Sequence, residues 1–232
     1  MPNAYVSLTT LKASAGLDIT GTAYDTRLLA LTENISRQID RYCDRIFYSF
    51  VETREFSGNG KTSLRLPHLS ALPGSGLKED TNLDGTFETV WASADFLYAP
   101  YNAQPTATFG TFSPFTRLEV NKRSDGTQDT FLLGQRNYQI TGTWGYSRVR
   151  IDILGNLSGS INSTATTLTL TSAGTVGIGE TIVIDDEQMF VSNTGSGSDL
   201  TVLRNVNGGT AATHTATANV MIVAYPGPVQ EA

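Results

Sequence analysis

Three side chains with oxygen donors, Asp80, Asn82 and Asp84, stand at alternate positions and are followed at once by Gly85. This is the first half of a calcium-binding loop, D-x-N-x-D-G, in which spaced oxygens converge on a hard cation and the glycine allows a sharp turn. The twelfth position of such a loop calls for a bidentate Glu, and Trp91 occupies it. The flanking residues alternate like strands, and Asp-Gly is an ordinary hairpin pair. The expectation is a turn with no metal, Asp80, Asn82 and Asp84 remaining weak candidates.

A second pattern is the stripe Arg37, Arg41 and Arg45. On a helix it forms one ridge, which could bind phosphate. Glu33, Asp40 and Asp44 lie within one turn of it and offset its charge. The stripe is therefore expected to be a solvated face, and the three arginines are the candidate subunit-interface residues. Asp185, Asp186 and Glu187 make a compact acidic turn. Three consecutive residues cannot all face one point on a regular strand, so a solvated hairpin is expected. His214 lies in the turn-rich run GGTAATHTATAN and His68 in a different region. Without a nearby metal or triad pattern, His214 is expected to fix a turn by hydrogen bonding. The chain has no G-x-S-x-G, H-E-x-x-H or P-loop, so no enzyme, catalytic residue or cofactor is expected.

The elements that would position these groups are strands and one long helix. From Asp25 to Tyr48, apolar residues fall at Leu28, Leu31, Ile35, Ile39, Tyr42, Cys43 and Ile46. Steps of three and four predict an amphipathic helix over 25–48 with that face buried, Cys43 included. A shorter helix is expected over 7–16, capped by Ser7 and ended by Gly16, with Thr22 and Asp25 forming a variant capping box ahead of the long one. Phe50 to Phe56 alternates, Ser57-Gly58-Asn59-Gly60 is a turn sequence, and Thr62 to Leu66 is expected to pair back as a hairpin. Lys78 to Trp91 is expected to be a second hairpin. Further strands are expected at Phe115–Val120 and Asn137–Tyr146. Trp144, beside Gly142 and Gly145, is expected in the core rather than as a stacking platform for a base or sugar.

Composition changes near Leu157. Residues 157–223 are rich in Thr, Ser and Gly, and Phe190 is their only aromatic. Short alternating runs at Thr167–Thr171, Thr181–Ile184, Met189–Val191, Leu200–Leu203 and Val220–Val223 predict a small antiparallel sandwich or barrel. The expected fold is α+β: an N-terminal helical pair with a long helix, a β-hairpin-rich core, and a small all-β domain. The expected division is 1–156, 157–223, and 224–232 as the start of a C-terminal helix that continues past Ala232. Residues 1–156 carry 15 Lys+Arg against 16 Asp+Glu, and residues 157–232 carry 1 against 6. A chain of net charge −6 is not a bulk nucleic-acid binder. One Cys excludes an internal disulfide. With no signal peptide and no apolar run near about 18 residues, a soluble protein folded in a reducing cytosol is expected.

Five segments occur in order: YVSLTTLKASAGL, IDRYCDRIFY, ETREFSGNGKTSLRLP, DFLYAPYNAQP and ITGTWGY. Together, across residues 4–146, they resemble the head–tail connector, or adaptor, proteins of tailed bacteriophages and gene transfer agents. Residues 157–223, through GIGETIVIDDEQMFVS and LTVLRNVNGGTAATH, resemble small β modules of phage structural proteins and would be an inserted domain. The resemblance implies a homo-oligomeric ring, usually twelve-fold, below the portal protein at the neck of the virion. Such a ring extends the DNA channel, passes genomic DNA without reading its sequence, and docks the tail or stopper protein. It would be made in the host bacterial cytoplasm, with no membrane partner. The alternative is another virion structural or β binding module, in the tail, as a capsid decoration, or against a host glycan.

Overall fold

The computed structural model describes residues 3–14, 19–101, 113–123, 126–146, 150–172 and 176–225. Gly16 and residues 226–232 of the helix start expected at 224–232 lie outside them, and residues 224 and 225 are not helical. The protein is mostly β, with two curled antiparallel sheets and two helices, α1 (Leu8–Lys12) and α2 (Asp25–Cys43). This corrects the expected α+β fold built on a helical pair. The helices are too short and too polar on their inner sides to organise a core, and both hydrophobic clusters are made by strands. Two compact units form. One is 49–147; the other joins 1–48 to 148–232. The helices thus belong with the Thr-rich strands.

Residues 49–147 contain a seven-stranded sheet. Its strands are β1 (Phe50–Gly58), β2 (Ser63–Ala71), β3 (Leu77–Glu79), β4 (Thr89–Val90), β5 (Phe96–Ala99), β6 (Phe115–Val120) and β7 (Gly134–Trp144). The order is β4-β3-β7-β2-β6-β5, with β1 on the other side of β7. The hairpin expected between β1 and β2 does not form. β1 pairs with β7 from Phe50 opposite Trp144 to Gly58 opposite Gly134, and β2 pairs with β6 and the end of β7. The turn residues are real turn formers, but they carry the chain away from β1: Gly60 N–H bonds to the Phe131 carbonyl instead. Gly58 must be small, because a Cβ there would fall 1.8 Å from the Leu132 carbonyl oxygen. The β3–β4 hairpin forms as expected. Trp91, Phe131, Tyr138, Ile140, Leu118 and Trp144 fill the core. Trp144 is fully buried and donates its indole N–H to the Glu52 carbonyl.

The other unit holds a six-stranded sheet: β8 (Arg150–Asn156), β9 (Thr167–Thr169), β10 (Thr181–Ile184), β11 (Glu187–Thr194), β12 (Asp199–Leu203) and β13 (Asn219–Val223), in the order β8-β13-β10-β11-β12-β9. Its core is small and aliphatic, from Leu157, Leu168, Ile182, Ile184, Met189 and Val220. Phe190 is buried, so it offers no exposed ring for a sugar. The N-terminus is tied to this sheet: Leu8 N–H bonds to the Ile178 carbonyl, and the Asn207 side chain bonds to those of Asn3 and Gln188.

Helix α1 begins as expected, with the Ser7 hydroxyl accepting the Thr10 N–H. Helix α2 departs from expectation at three points. Tyr24 occupies its N-cap position with no side-chain cap, so Thr22 and Asp25 form no capping box; Asp25 pairs with Lys12 instead. The helix ends at Cys43, because Asp44 turns left-handed at φ 49°. Most consequentially, its faces are reversed. Thr32, Ser36 and Asp40 are buried, whereas Leu31 (47 % exposed), Ile35 (46 %), Tyr42 (93 %) and Cys43 point outward. The inward hydroxyls bond to carbonyls of their own helix, Thr32 to Leu29 and Ser36 to Thr32, which lets them be buried without a penalty. Ser36 also accepts the Tyr5 N–H.

Candidate functional site

One buried group of titratable side chains is assembled from residues that sequence spacing does not bring together. Glu187 opens β11 and Asp185 sits left-handed in the turn before it, at φ 53°. Arg204 follows β12, and His214 lies in the long connection to β13. Arg204 Nε donates to Glu187 Oε1 at 2.8 Å and its Nη2 to Oε2 at 2.5 Å, a two-pronged pairing. The same guanidinium donates to the carbonyls of Asn162 and Ala212. His214 Nδ1 lies 2.6 Å from Asp185 Oδ2 and Nε2 lies 2.9 Å from Glu187 Oε2. Ala212 N–H donates to that same Glu187 oxygen. Burial pushes the Glu187 carboxyl up, but the Arg204 pairing, the Ala212 N–H and the His214 bond together outweigh it and hold the group below its ordinary range.

This arrangement has the parts of an acid–base site but not the access. The side chains of His214, Glu187 and Arg204 are 1 %, 2 % and 5 % exposed. Each of their bonding groups is turned on another member of the network or on backbone, whereas the Asp185 side chain, bonded to His214 Nδ1, is 67 % exposed. What it does is mechanical. It pins the turns after β10 and β12 and the 204–214 connection to one point. The solvated hairpin expected for 185–187 is corrected at Glu187: one residue of the three faces inward because β11 begins there, and Arg204 compensates its charge. His214 is the turn-fixing residue expected.

Among the buried carboxylates of residues 49–147 are Glu79 and Asp95, each with its own set of partners. Glu79 accepts the Trp91 indole N–H at 2.7 Å and the Tyr138 hydroxyl at 2.5 Å. Burial, then the adjoining Glu79 carboxylate, pushes the Tyr138 phenol far up. Asp95 accepts N–H bonds from Ala92 and Thr127 and the Thr127 hydroxyl; burial works against it, but these bonds hold its carboxyl below the usual range.

The Asp80 loop is closed on itself. Asp80 accepts the N–H groups of Asp84 and Gly85, Asn82 accepts that of Asp84, and Asp84 accepts that of Thr86. Asp80, Asp84 and Glu88 each bring a carboxylate oxygen within 4.8 Å of the others. Glu88, which the calcium template does not point to, is the third member. Trp91, at the template's glutamate position, is in the core. The loop has the form of an acidic hairpin tip, with its ligand atoms already bonded to backbone.

The three arginines do not form one ridge. Arg37 is turned inward: its Nε donates to Asp40 at 2.8 Å, and the guanidinium lies 5.1 Å from the Tyr5 ring centre and 4.6 Å from that of Tyr48. Arg41 and Arg45 remain exposed. A crevice of about 210 Å³ lies by the N-terminal segment, lined by Tyr5, Ser7, Thr10, Glu180, Ile222 and Tyr225 among others. Burial raises the Glu180 carboxyl there, opposed in part by the Gly177 N–H. Among the described residues, the Glu180 carboxyl is bonded to the Gly177 N–H and to neither the Ser7 nor the Thr10 hydroxyl.

No protein-family model, curated protein or solved structure matches the chain. Among the described residues, no helix is long and apolar enough to cross a membrane.

Proposed function

We propose that this protein is a structural component of the head–tail junction of a tailed phage or gene transfer agent, an adaptor that works as an oligomeric ring between portal and tail or stopper. The observation that carries the reading is the fate of the chemistry-bearing side chains. Glu187, Arg204, His214, Glu79 and Asp95 are spent on holding turns and core side chains in place. That is the economy of a building block, and it agrees with the ordered resemblance of residues 4–146 to adaptors. The near balance of charge in residues 1–156, 15 basic against 16 acidic, suits a channel past which DNA slides rather than sticks. A closed ring requires heterologous contacts, one surface of a subunit meeting a different surface of the next.

The test is imaging the full chain, by negative-stain microscopy with mass measurement, and locating it in intact particles with a labelled antibody. Closed rings and label at the neck are expected. A monomer at all concentrations, together with label elsewhere on the particle, would overturn the proposal. Duplex DNA should not be retarded by the protein at physiological salt; strong, salt-sensitive retardation would argue for a DNA-gripping role instead.

A further inference from the structure

The outward side of α2 is patterned, not merely apolar. Leu28, Leu31, Ile35, Gln38 and Tyr42 follow one another at steps of three, four, three and four. These are the a and d positions of a heptad seam. Leu31, Ile35, Gln38 and Tyr42 are exposed and Leu28 is half-buried. The two flanks of the seam differ. On one side, Thr32 is buried and Ile39 is half-buried against the protein's own fold. On the other side lie Arg27, Asn34 and Arg41, seven residues apart and all exposed. Neither Arg27 nor Arg41 has an ion pair among the described residues, unlike Arg37, which is committed to Asp40.

We infer that this seam docks an amphipathic helix of a different protein, one with an aliphatic stripe and carboxylates beside it. The flanking charges select the occupant. A helix laid in the seam places its own flanking residues opposite Arg27 and Arg41, so acidic side chains there gain an ion pair and basic ones meet repulsion. A second copy of this chain fits poorly. Antiparallel self-pairing sets Arg27 beside Arg41 of the other copy, twice by symmetry. Parallel self-pairing needs the flank that carries Thr32 and Ile39, and the protein's own fold covers it. The seam keeps its face toward a partner because α2 is held from behind by polar bonds, Tyr5 N–H to Ser36 and Tyr5 hydroxyl to Asp40. This inference goes beyond the ring reading and does not rest on it, since subunits can close a ring through other surfaces.

The experiment uses the full chain and two synthetic peptides of about three heptads, with Leu at a and d and either Glu or Lys at e and g. Like charges along each peptide discourage its self-association. By calorimetry, the Glu peptide should bind at least about tenfold more tightly than the Lys peptide. The double variant Arg27→Glu/Arg41→Glu should reverse that preference. Leu31→Asp and Ile35→Asp should each abolish binding of the Glu peptide; both sites are about half exposed, and an unchanged thermal transition by circular dichroism verifies folding. Binding of neither peptide, equal binding of both, or binding unaffected by Leu31→Asp overturns the inference. So does self-association of the unliganded chain that Ile35→Asp abolishes, which would make a second copy the occupant.

Discussion

Glu187 is the residue on which the smaller core is most exposed to error. Its two oxygens serve Arg204, Ala212 and His214 at once. Glu187→Gln leaves a buried guanidinium without its counter-charge, a change that typically costs about 3–5 kcal/mol. Urea denaturation monitored by circular dichroism should show a loss of that order; a loss under about 1 kcal/mol would mean that water reaches the network. The pH dependence follows from the direction of the shift. The Glu187 carboxyl is held below its ordinary range in the folded protein. Its contribution is therefore complete above the unfolded value, about 4.3, and is lost as pH falls through the folded value. Glu180 runs the opposite way. Burial raises it, so the folded state keeps a proton that the unfolded chain releases, and stability falls as pH rises from the unfolded to the folded value. Glu180→Gln should flatten that slope and raise stability at neutral pH, while still accepting the Gly177 N–H. A variant less stable than the parent at pH 7 would contradict this.

At the scale of elements, the ends of the helices are where single changes should tell. Ser7 caps α1 through Thr10 N–H, and Ser7→Ala should cost about 1 kcal/mol. Asp44 ends α2 in a left-handed conformation, where a side chain other than glycine is strained and where a negative charge opposes the helix dipole. Asp44→Gly should stabilise the protein by about 0.5–1 kcal/mol. A decrease in the denaturation midpoint would show that Asp44 makes a compensating contact. The reversed faces of α2 carry a wider point. A helical period shows that two sides of a helix differ, but which side is buried depends on what packs against it. Here the packing partner is the N-terminal segment, whose Tyr5 brings a backbone N–H and a phenol to be satisfied. The Ser36 hydroxyl and the Asp40 carboxylate meet those needs and leucines do not.

At the scale of the whole chain, the two compact units have separate cores. The protein has two tryptophans, Trp91 and Trp144, and both are fully buried in the core of 49–147. Tryptophan emission therefore reports that unit. Glu187→Gln should shift the unfolding transition seen by hydrogen exchange in β10–β13 and leave the tryptophan transition where it was. Equal shifts in both would show that the units unfold as one. The core of 49–147 is built within a continuous stretch of chain, so that stretch expressed alone should give dispersed amide resonances.

Much of this protein was legible in its residues because the signals are local. Alternation at Phe115–Val120, Thr181–Ile184 and Val220–Val223 marks strands, Ser7 marks a cap, and Asn82–Gly85 marks a hairpin tip, each from side-chain chemistry within a few residues. Trp144 beside glycines reads correctly as a core residue. What local pattern cannot carry is the choice of partner. The Ser57–Gly60 turn looks like the bend of a hairpin, yet β1 finds β7, with Thr53 paired to Thr141, 88 residues away. Glu187 finds Arg204 at 17 residues and His214 at 27. The seam on α2 is written in the sequence, but its outward direction is not. That direction was decided only when the N-terminus took the helix's polar side, because burial is a property of packed surfaces and not of periodicity.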